Sequence, residues 1–287
     1  MKPNILYDSL KDNNDYFLSY ELSNKIEKST KNWNPHHSYD FTNSEISYRT
    51  IYDDKNLTYV MNNYTHRCED FNKLDTSKHN ILFAGCSATF GDGLPYKNTW
   101  DYILYDQLSK TNNLGPFNSL SYPGGSVSKI ITNILKYCNS FGMPNEIYLM
   151  LPDYSRNVIF DKNDNSFSST ISIDYFQNKI LNNMIPENLF FEFQNYYRML
   201  EIFCKTNNIK LVSCSWDIST TMLMSKLDFD TFYFLDYTDD DFFGNFDIDL
   251  IDKRYHRYAS EARDGHHFGI MSHHWFANNF LKWRGND

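Results

Sequence analysis
Two stretches hold residue types that could carry nucleophilic chemistry. The first reads ILFAGCSATFGDGL, residues 81 to 94. An apolar run stops at Gly85, and Ser87 follows ahead of two more glycines, Gly91 and Gly93. A serine just past a buried strand stands where open parallel sheets bind ligands. Backbone amides at a helix start there can stabilise negative charge, so the serine is placed to attack a carbonyl. The second stretch, ARDGHHFGIMSHHWFAN, sets Asp264 three residues before His267. A carboxylate on His Nδ1 fixes the tautomer that turns Nε2 toward a serine.

Competing readings of the first stretch fail on detail. A P-loop needs GxxxxGK[ST], and no such Gly-Lys pair follows Gly85. The nucleophile elbow GxSxG fails because Gly85-Cys86-Ser87-Ala88-Thr89 ends in threonine. Taken alone, the stretch also fits a Gly-Ser turn without chemistry, and Asp264 and His267 fit a surface acid and a satisfied histidine.

The elements that must position these residues read as a parallel sheet. NILFAG is a continuous apolar run of the kind found in central parallel strands. TWDYILYDQLSK is predicted helical, GPFNSLSYPGG a short strand ending in a Pro-Gly-Gly turn, and SVSKIITNILKYCNSFG a helix capped by Gly142. EIYLMLP is a third strand. IPENLFFEFQNYYRMLEIFCKTNN is a long amphipathic helix with Leu189, Phe193, Tyr196, Leu200 and Phe203 on one face. IKLVSCS is a fourth strand, and HHFGIMSHHWFANNFLKW a closing helix. Alternating strands and helices imply a sheet covered on both faces. Residues 1–78 are polar and rich in Asn and Tyr. HHSYDFTNSEISYRTIYDD alternates enough for one or two short strands. This region is expected to be an N-terminal extension packed on a main domain of residues 79–287.

With 287 residues and 41% hydrophobic content, the chain can bury a sizeable core. A net charge of -9 offers no basic stripe to neutralise phosphates, so no nucleic-acid partner is expected. The five cysteines form no CxxC pair and are odd in number, which fits a reducing compartment. The first 20 residues lack the apolar core of a signal peptide, and no apolar run approaches membrane-spanning length. A cytoplasmic or virion-associated protein without membrane contact is expected; the oligomeric state stays open.

Together the two stretches resemble the SGNH, or GDSL-like, hydrolase superfamily. Its opening Gly-Asp-Ser block corresponds to Gly85-Cys86-Ser87, followed by Thr89 and Gly91. Its closing Asp-x-x-His block corresponds to Asp264-Gly265-His266-His267. NSLSYPGGS offers Gly124 for the second block, with Asn118 or Ser119 near the usual asparagine. The resemblance covers roughly residues 80 to 285, and a GCSxTxG opening in an Asn- and Tyr-rich chain is similar to phage-encoded members. It implies a three-layer α/β/α flavodoxin-like domain with about five parallel strands. It further implies Ser87 as nucleophile, His267 as general base and Asp264 as its orienting acid. The Ser87 and Gly124 amides would form part of an oxyanion hole.

Two positions depart from the family pattern. The third block, Gly-x-Asn-Asp, supplies an asparagine donor, whereas LMLPDYSRN places Asp153 there. A carboxylate donates only when protonated. Arg156 comes soon after and could supply positive charge; Asp153 and Arg156 are the candidate substrate-binding residues. The other departure is Cys86 in place of aspartate, read here as a small buried structural cysteine.

The implied activity is hydrolysis of an oxygen ester, a carbohydrate O-acetyl ester by resemblance, with no cofactor. An O-acyltransferase on the same site is one alternative. A non-catalytic carbohydrate-binding or virion-structural protein is another. The pairs His36-His37, His266-His267 and His273-His274 match no closed zinc site, so no metal is expected. His273 and His274 are expected on the helix surface. DYTDDDFFGNFDIDLID lacks the calcium-loop pattern and reads as a solvated loop over the site.

Overall fold
In the computed structural model the described residues are 32–33, 59–60, 62, 64, 66–161, 166–170, 186–236, 259–260, 262 and 267–285, with side-chain surroundings left aside for 32–33, 59–60, 157–161, 166–170 and 186–187. Asp264, His266, His36, His37, most of the carboxylate-rich run and the alternating stretch near residue 40 lie outside them.

The central sheet forms where the apolar runs are longest. β3 (Ile81–Gly85), β4 (Asn118–Ser121), β5 (Glu146–Leu151) and β8 (Lys210–Ser215) pair in the order β4-β3-β5-β8, all parallel. β3, β4 and β5 are buried along their whole length, as expected of strands covered on both faces. Among the described residues the sheet has four strands, against the expected five or so. Two antiparallel pairs lie apart from it: β1 (Asn32–Trp33) with β2 (Tyr59–Val60), and β6 (Asn157–Asp161) with β7 (Ser166–Thr170).

The helices are α1 (Ser87–Phe90), α2 (Trp100–Ser109), α3 (Val127–Phe141), α4 (Pro186–Thr206), α5 (Ile218–Met224) and α6 (Ile270–Arg284). α2 and α6 cover one face. Trp100 stacks on Phe280 at 4.4 Å and meets Phe83 of β3, while Phe280 meets Tyr148 of β5. α3 and α4 cover the other face, where the Tyr197 hydroxyl reaches Ser213 Oγ at 2.6 Å. Side chains alternate across a strand, so Phe83 and Tyr148 serve one layer and Leu82, Ala84, Ile147 and Leu149 the other. In order of appearance the strands run 2-1-3-4, the flavodoxin-like order. Right-handed crossovers then require the first connection on one face and the next two on the other. The strand order reverses between β3 and β5, and that crevice is where such sheets bind ligands.

Two helix expectations shift. The buried face of α4 is Leu189, Phe193, Tyr197, Leu200 and Cys204. Tyr196 and Phe203, expected on that face, are only half-buried. The stripe follows 3.6-residue spacing from Phe193, which reaches 197, 200 and 204. The closing helix starts at Ile270 rather than at the preceding histidines, with Gly269 in extended conformation as its N-cap.

At the amino end of the sheet, Glu146 ties the last helix down. Arg284 donates to both its carboxylate oxygens, His79 Nε2 lies 2.7 Å from Oε1, and the Tyr148 hydroxyl donates to Oε2. Burial pushes the Glu146 carboxyl up, but these hydrogen bonds and the Arg284 charge outweigh it and hold it below its usual range. One edge of the sheet is occupied by a loop: Ser213 N–H donates to Thr231 O and Tyr233 N–H to Ser213 O, a parallel bridge centred on Phe232. Among the described residues, no helix is long and apolar enough to cross a membrane.

Candidate active site
Ser87 begins α1 directly beyond β3 and is 4% exposed. α1 is a single turn of four residues ending at Gly91, whose φ of 68° reverses the chain. The amides of Phe90 and Gly91 close it onto the carbonyls of Cys86 and Ser87. Gly85 permits the close packing behind it, because a Cβ there would lie 2.0 Å from Thr89 Oγ1 and 2.8 Å from the Met150 carbonyl. Among the described residues the Ser87 amide donates to no backbone carbonyl.

The Gly124 amide is likewise without a backbone acceptor among the described residues. Gly124 follows β4 with φ of +69°, a conformation that disfavours any side chain and turns the peptide sharply into Ser126, the N-cap of α3. Both amides therefore stand at the carboxyl end of the sheet, and no described backbone carbonyl accepts from either.

Around Ser87 the packing is specific. Ser87 Oγ lies 4.0 Å from Cys86 Sγ, and that sulfur accepts the Trp216 Nε1–H at 3.2 Å. Cys86 is fully buried. Trp216 follows β8, the Arg156 guanidinium lies over its ring at 5.3 Å, and Phe268 meets it edge-on at 6.1 Å. Phe268 is the neighbour of His267, which is half-buried. The loop carrying His267 is closed by three backbone bonds: Ala262 N–H to His267 O, Gly269 N–H to Ser260 O and Met271 N–H to Ala259 O. Ala259 and Ala262 of this loop, with Ile270 at the start of α6, cluster with Leu94, at the end of the loop that follows Ser87. Asp264 belongs to the same stretch of chain and lies outside the described residues.

Asp153 organises its own turn. Its Oδ1 accepts the Ser155 N–H at 2.7 Å, and its carbonyl accepts the Arg156 N–H. Among the described residues Arg156 makes no ion pair with Asp153; its face is laid on Trp216 instead. The sequence reading missed Trp216, for which no motif signals a role.

His273 is corrected from surface to core. It is 1% exposed, and its Nδ1 accepts the Trp100 N–H at 3.0 Å, capping the first turn of α2. That bond requires an unprotonated Nδ1. His274 is half-buried rather than on the surface. Burial first, then the fields of His274, His267 and Arg67, hold His273 down at about 3 against an ordinary 6.5, with the Phe268 carbonyl pulling the other way. The unfolded chain therefore binds a proton that the folded protein refuses. Stability is highest above about pH 6.5 and declines as pH falls toward about 3. Between pH 6.5 and 5 the expected loss from this group is about 2 kcal/mol. His273→Gln, which keeps an acceptor but cannot titrate, is expected to show a shallower decline in thermal unfolding over that range. Equal slopes in variant and wild type would remove His273 as the cause.

No family model matches the chain, and no curated protein matches it. Solved structures are similar to parts of it at low identity. One is TesA, 12% identical with a TM-score of 0.43, covering 71% of this chain and 96% of that one. Another is the psychrotrophic esterase EstA from Pseudoalteromonas sp., inhibited by monoethylphosphonate, 14% identical with a TM-score of 0.42, covering 72% and 100%. A third is described as a putative lipolytic protein of the G-D-S-L family from Desulfitobacterium hafniense DCB-2, 10% identical with a TM-score of 0.40, covering 71% and 98%.

Among the described residues, no group of three or more His, Cys, Asp or Glu side chains could hold a metal ion.

Proposed function
We propose that the protein is a serine esterase acting on an oxygen ester, with carbohydrate O-acetyl esters as its substrate class. The observation that carries this reading is the meeting of the loop after Ser87 with the loop before α6. The loop after Ser87 and the loop before α6 share the Leu94 cluster, and Phe268, beside His267, meets the Trp216 that binds Cys86. In this reading Ser87 Oγ attacks the ester carbon while His267 Nε2 takes its proton. The carbonyl oxygen becomes an oxyanion held by the Ser87 and Gly124 amides. The alcohol leaves with the proton from His267, and an acyl-enzyme remains. Water, deprotonated by His267, attacks the acyl carbon; the acid is released and Ser87 regains its proton. Asp264 holds His267 in the tautomer this requires.

The test is labelling by a fluorophosphonate followed by peptide mapping. Modification of Ser87 supports the reading. Failure to label the folded protein would instead favour a binding or structural role for the same fold.

Arg156 gives the reading its polarity. A guanidinium spread over an indole keeps its edge donors available to an anion. Arg156→Gln is expected to lower kcat/KM about 10-fold or more on an acetylated sugar acid, the scale of one charge-assisted hydrogen bond. On an acetylated neutral sugar it should change little. Equal loss on both would assign Arg156 to the oxyanion; no loss on either would give it no part.

A further inference from the structure
The turn described at residues 62, 64 and 66–69 lies before the parallel sheet begins, yet it reaches the chain just after Ser87 and the end of the strand that leads to Gly124. Asn62 builds the turn from within. Its Oδ1 accepts the amides of Tyr64 and His66, each at 2.9 Å, and its Nδ2 donates to the Glu69 carbonyl at 3.1 Å. These bonds tie Asn62 to Tyr64, His66 and Glu69, and the two consecutive side chains His66 and Arg67 are buried.

Arg67 is 3% exposed. Its Nη1 donates to the carbonyls of Phe90 at 2.9 Å and Gly91 at 3.0 Å, and its Nη2 to that of Leu94 at 2.6 Å. The Phe90 and Tyr96 rings lie 5.5 and 6.0 Å from its guanidinium carbon. These carbonyls belong to the end of α1 and the turn beyond it. α1 has one turn, so a shift at Phe90 or Gly91 reaches Ser87 through the two bonds that close it. His66, fully buried, places Nδ1 3.1 Å from the Ser121 carbonyl at the end of β4, three residues before Gly124. A carbonyl only accepts, so this Nδ1 carries a proton.

Burying a guanidinium is a poor source of stability, since apolar side chains of similar volume often hold a fold as well. What a guanidinium adds is direction: a rigid fork that fixes several acceptors at set angles. We infer that the turn at 62–69 is a positioning element of the ester site. Arg67 sets the Ser87 side of the oxyanion hole, and His66 sets the strand end that leads to Gly124. This rests on the esterase reading and extends it, because it makes the segment before the sheet part of the catalytic apparatus.

The experiment compares wild type with Arg67→Lys, whose single ammonium cannot span three carbonyls. Misplacement of the amides is expected to lower kcat for p-nitrophenyl acetate about 10- to 100-fold with KM nearly unchanged. The affinity for a boronic acid that forms a tetrahedral adduct on Ser87 should fall in parallel. A folded Arg67→Lys with wild-type kcat overturns the inference. So does a loss confined to KM. Native-state hydrogen exchange on the wild type decides independently, including when the variant does not fold. Residues 87–94 are expected to open together with 66–69; opening of 66–69 while 87–94 stays closed overturns the brace. If fluorophosphonate does not label wild-type Ser87, the esterase reading fails by itself, and the exchange result still decides the brace.

Discussion
Ser87→Ala is expected to lower ester hydrolysis by about 10⁶-fold, the scale seen when the nucleophile of a triad is lost. The Ser87 hydroxyl is the group that would bond to the acyl carbon, and no other described nucleophile shares its position beyond β3 except Cys86. Cys86 is fully buried, and its sulfur is engaged by the Trp216 indole N–H. Cys86→Ala should therefore retain most activity, with a small loss from the slackened hold on Trp216. Both variants are measured on the same neutral ester, with thermal unfolding to confirm the fold. The reverse pattern, with Ser87→Ala active and Cys86→Ala dead, would make this a thiol enzyme. Equal activity in both would remove the site altogether.

Asp264→Asn is expected to lower turnover by about 10⁴-fold while leaving the fold intact. An amide in place of the carboxylate can donate to His Nδ1, which favours the tautomer with its proton on Nε2. That nitrogen can no longer receive the serine proton. In the proposed mechanism the carboxylate would also stabilise the imidazolium formed during attack, and an amide would not. The loop that carries His267 is closed by backbone bonds at Ala262, Gly269 and Met271, so the substitution need not disturb it. Turnover within a few-fold of wild type would mean that another group orients His267.

The strands were legible because parallel strands buried on both faces must be apolar without interruption, as Ile81–Gly85 and Glu146–Leu151 are. The two stretches of the candidate site could be picked out because a serine after an apolar run and an Asp-x-x-His spacing are local patterns. Contacts made across the fold left no such mark. Arg67 is a lone arginine in a polar stretch, and only the folded chain brings it to the carbonyls of Phe90, Gly91 and Leu94. His273 sits in a helix whose two faces differ little in polarity, so its burial against the start of α2 could not be read from spacing. Trp216 and Arg156 come from loops after different strands, and their stacking is a product of topology. On α4 apolar residues also stand beside the buried stripe, so spacing does not distinguish Tyr196 from Tyr197 or Phe203 from Cys204.

The turn that carries Arg67 also lies along the outer edge of β4. Among the described residues the parallel sheet has four strands, and the outer side of each edge strand carries a row of peptide groups of the kind that can pair with strands of neighbouring molecules. At β8 the row is met by the loop through Phe232, at Ser213. At β4 it is met by side chains: Cys68 Sγ donates to the Ser119 carbonyl, and His66 Nδ1 to that of Ser121. A chain shortened past residue 69 would expose those carbonyls on a strand that is otherwise fully buried. Two acceptors that the Cys68 and His66 side chains now engage would then be open to the strand of a neighbouring molecule.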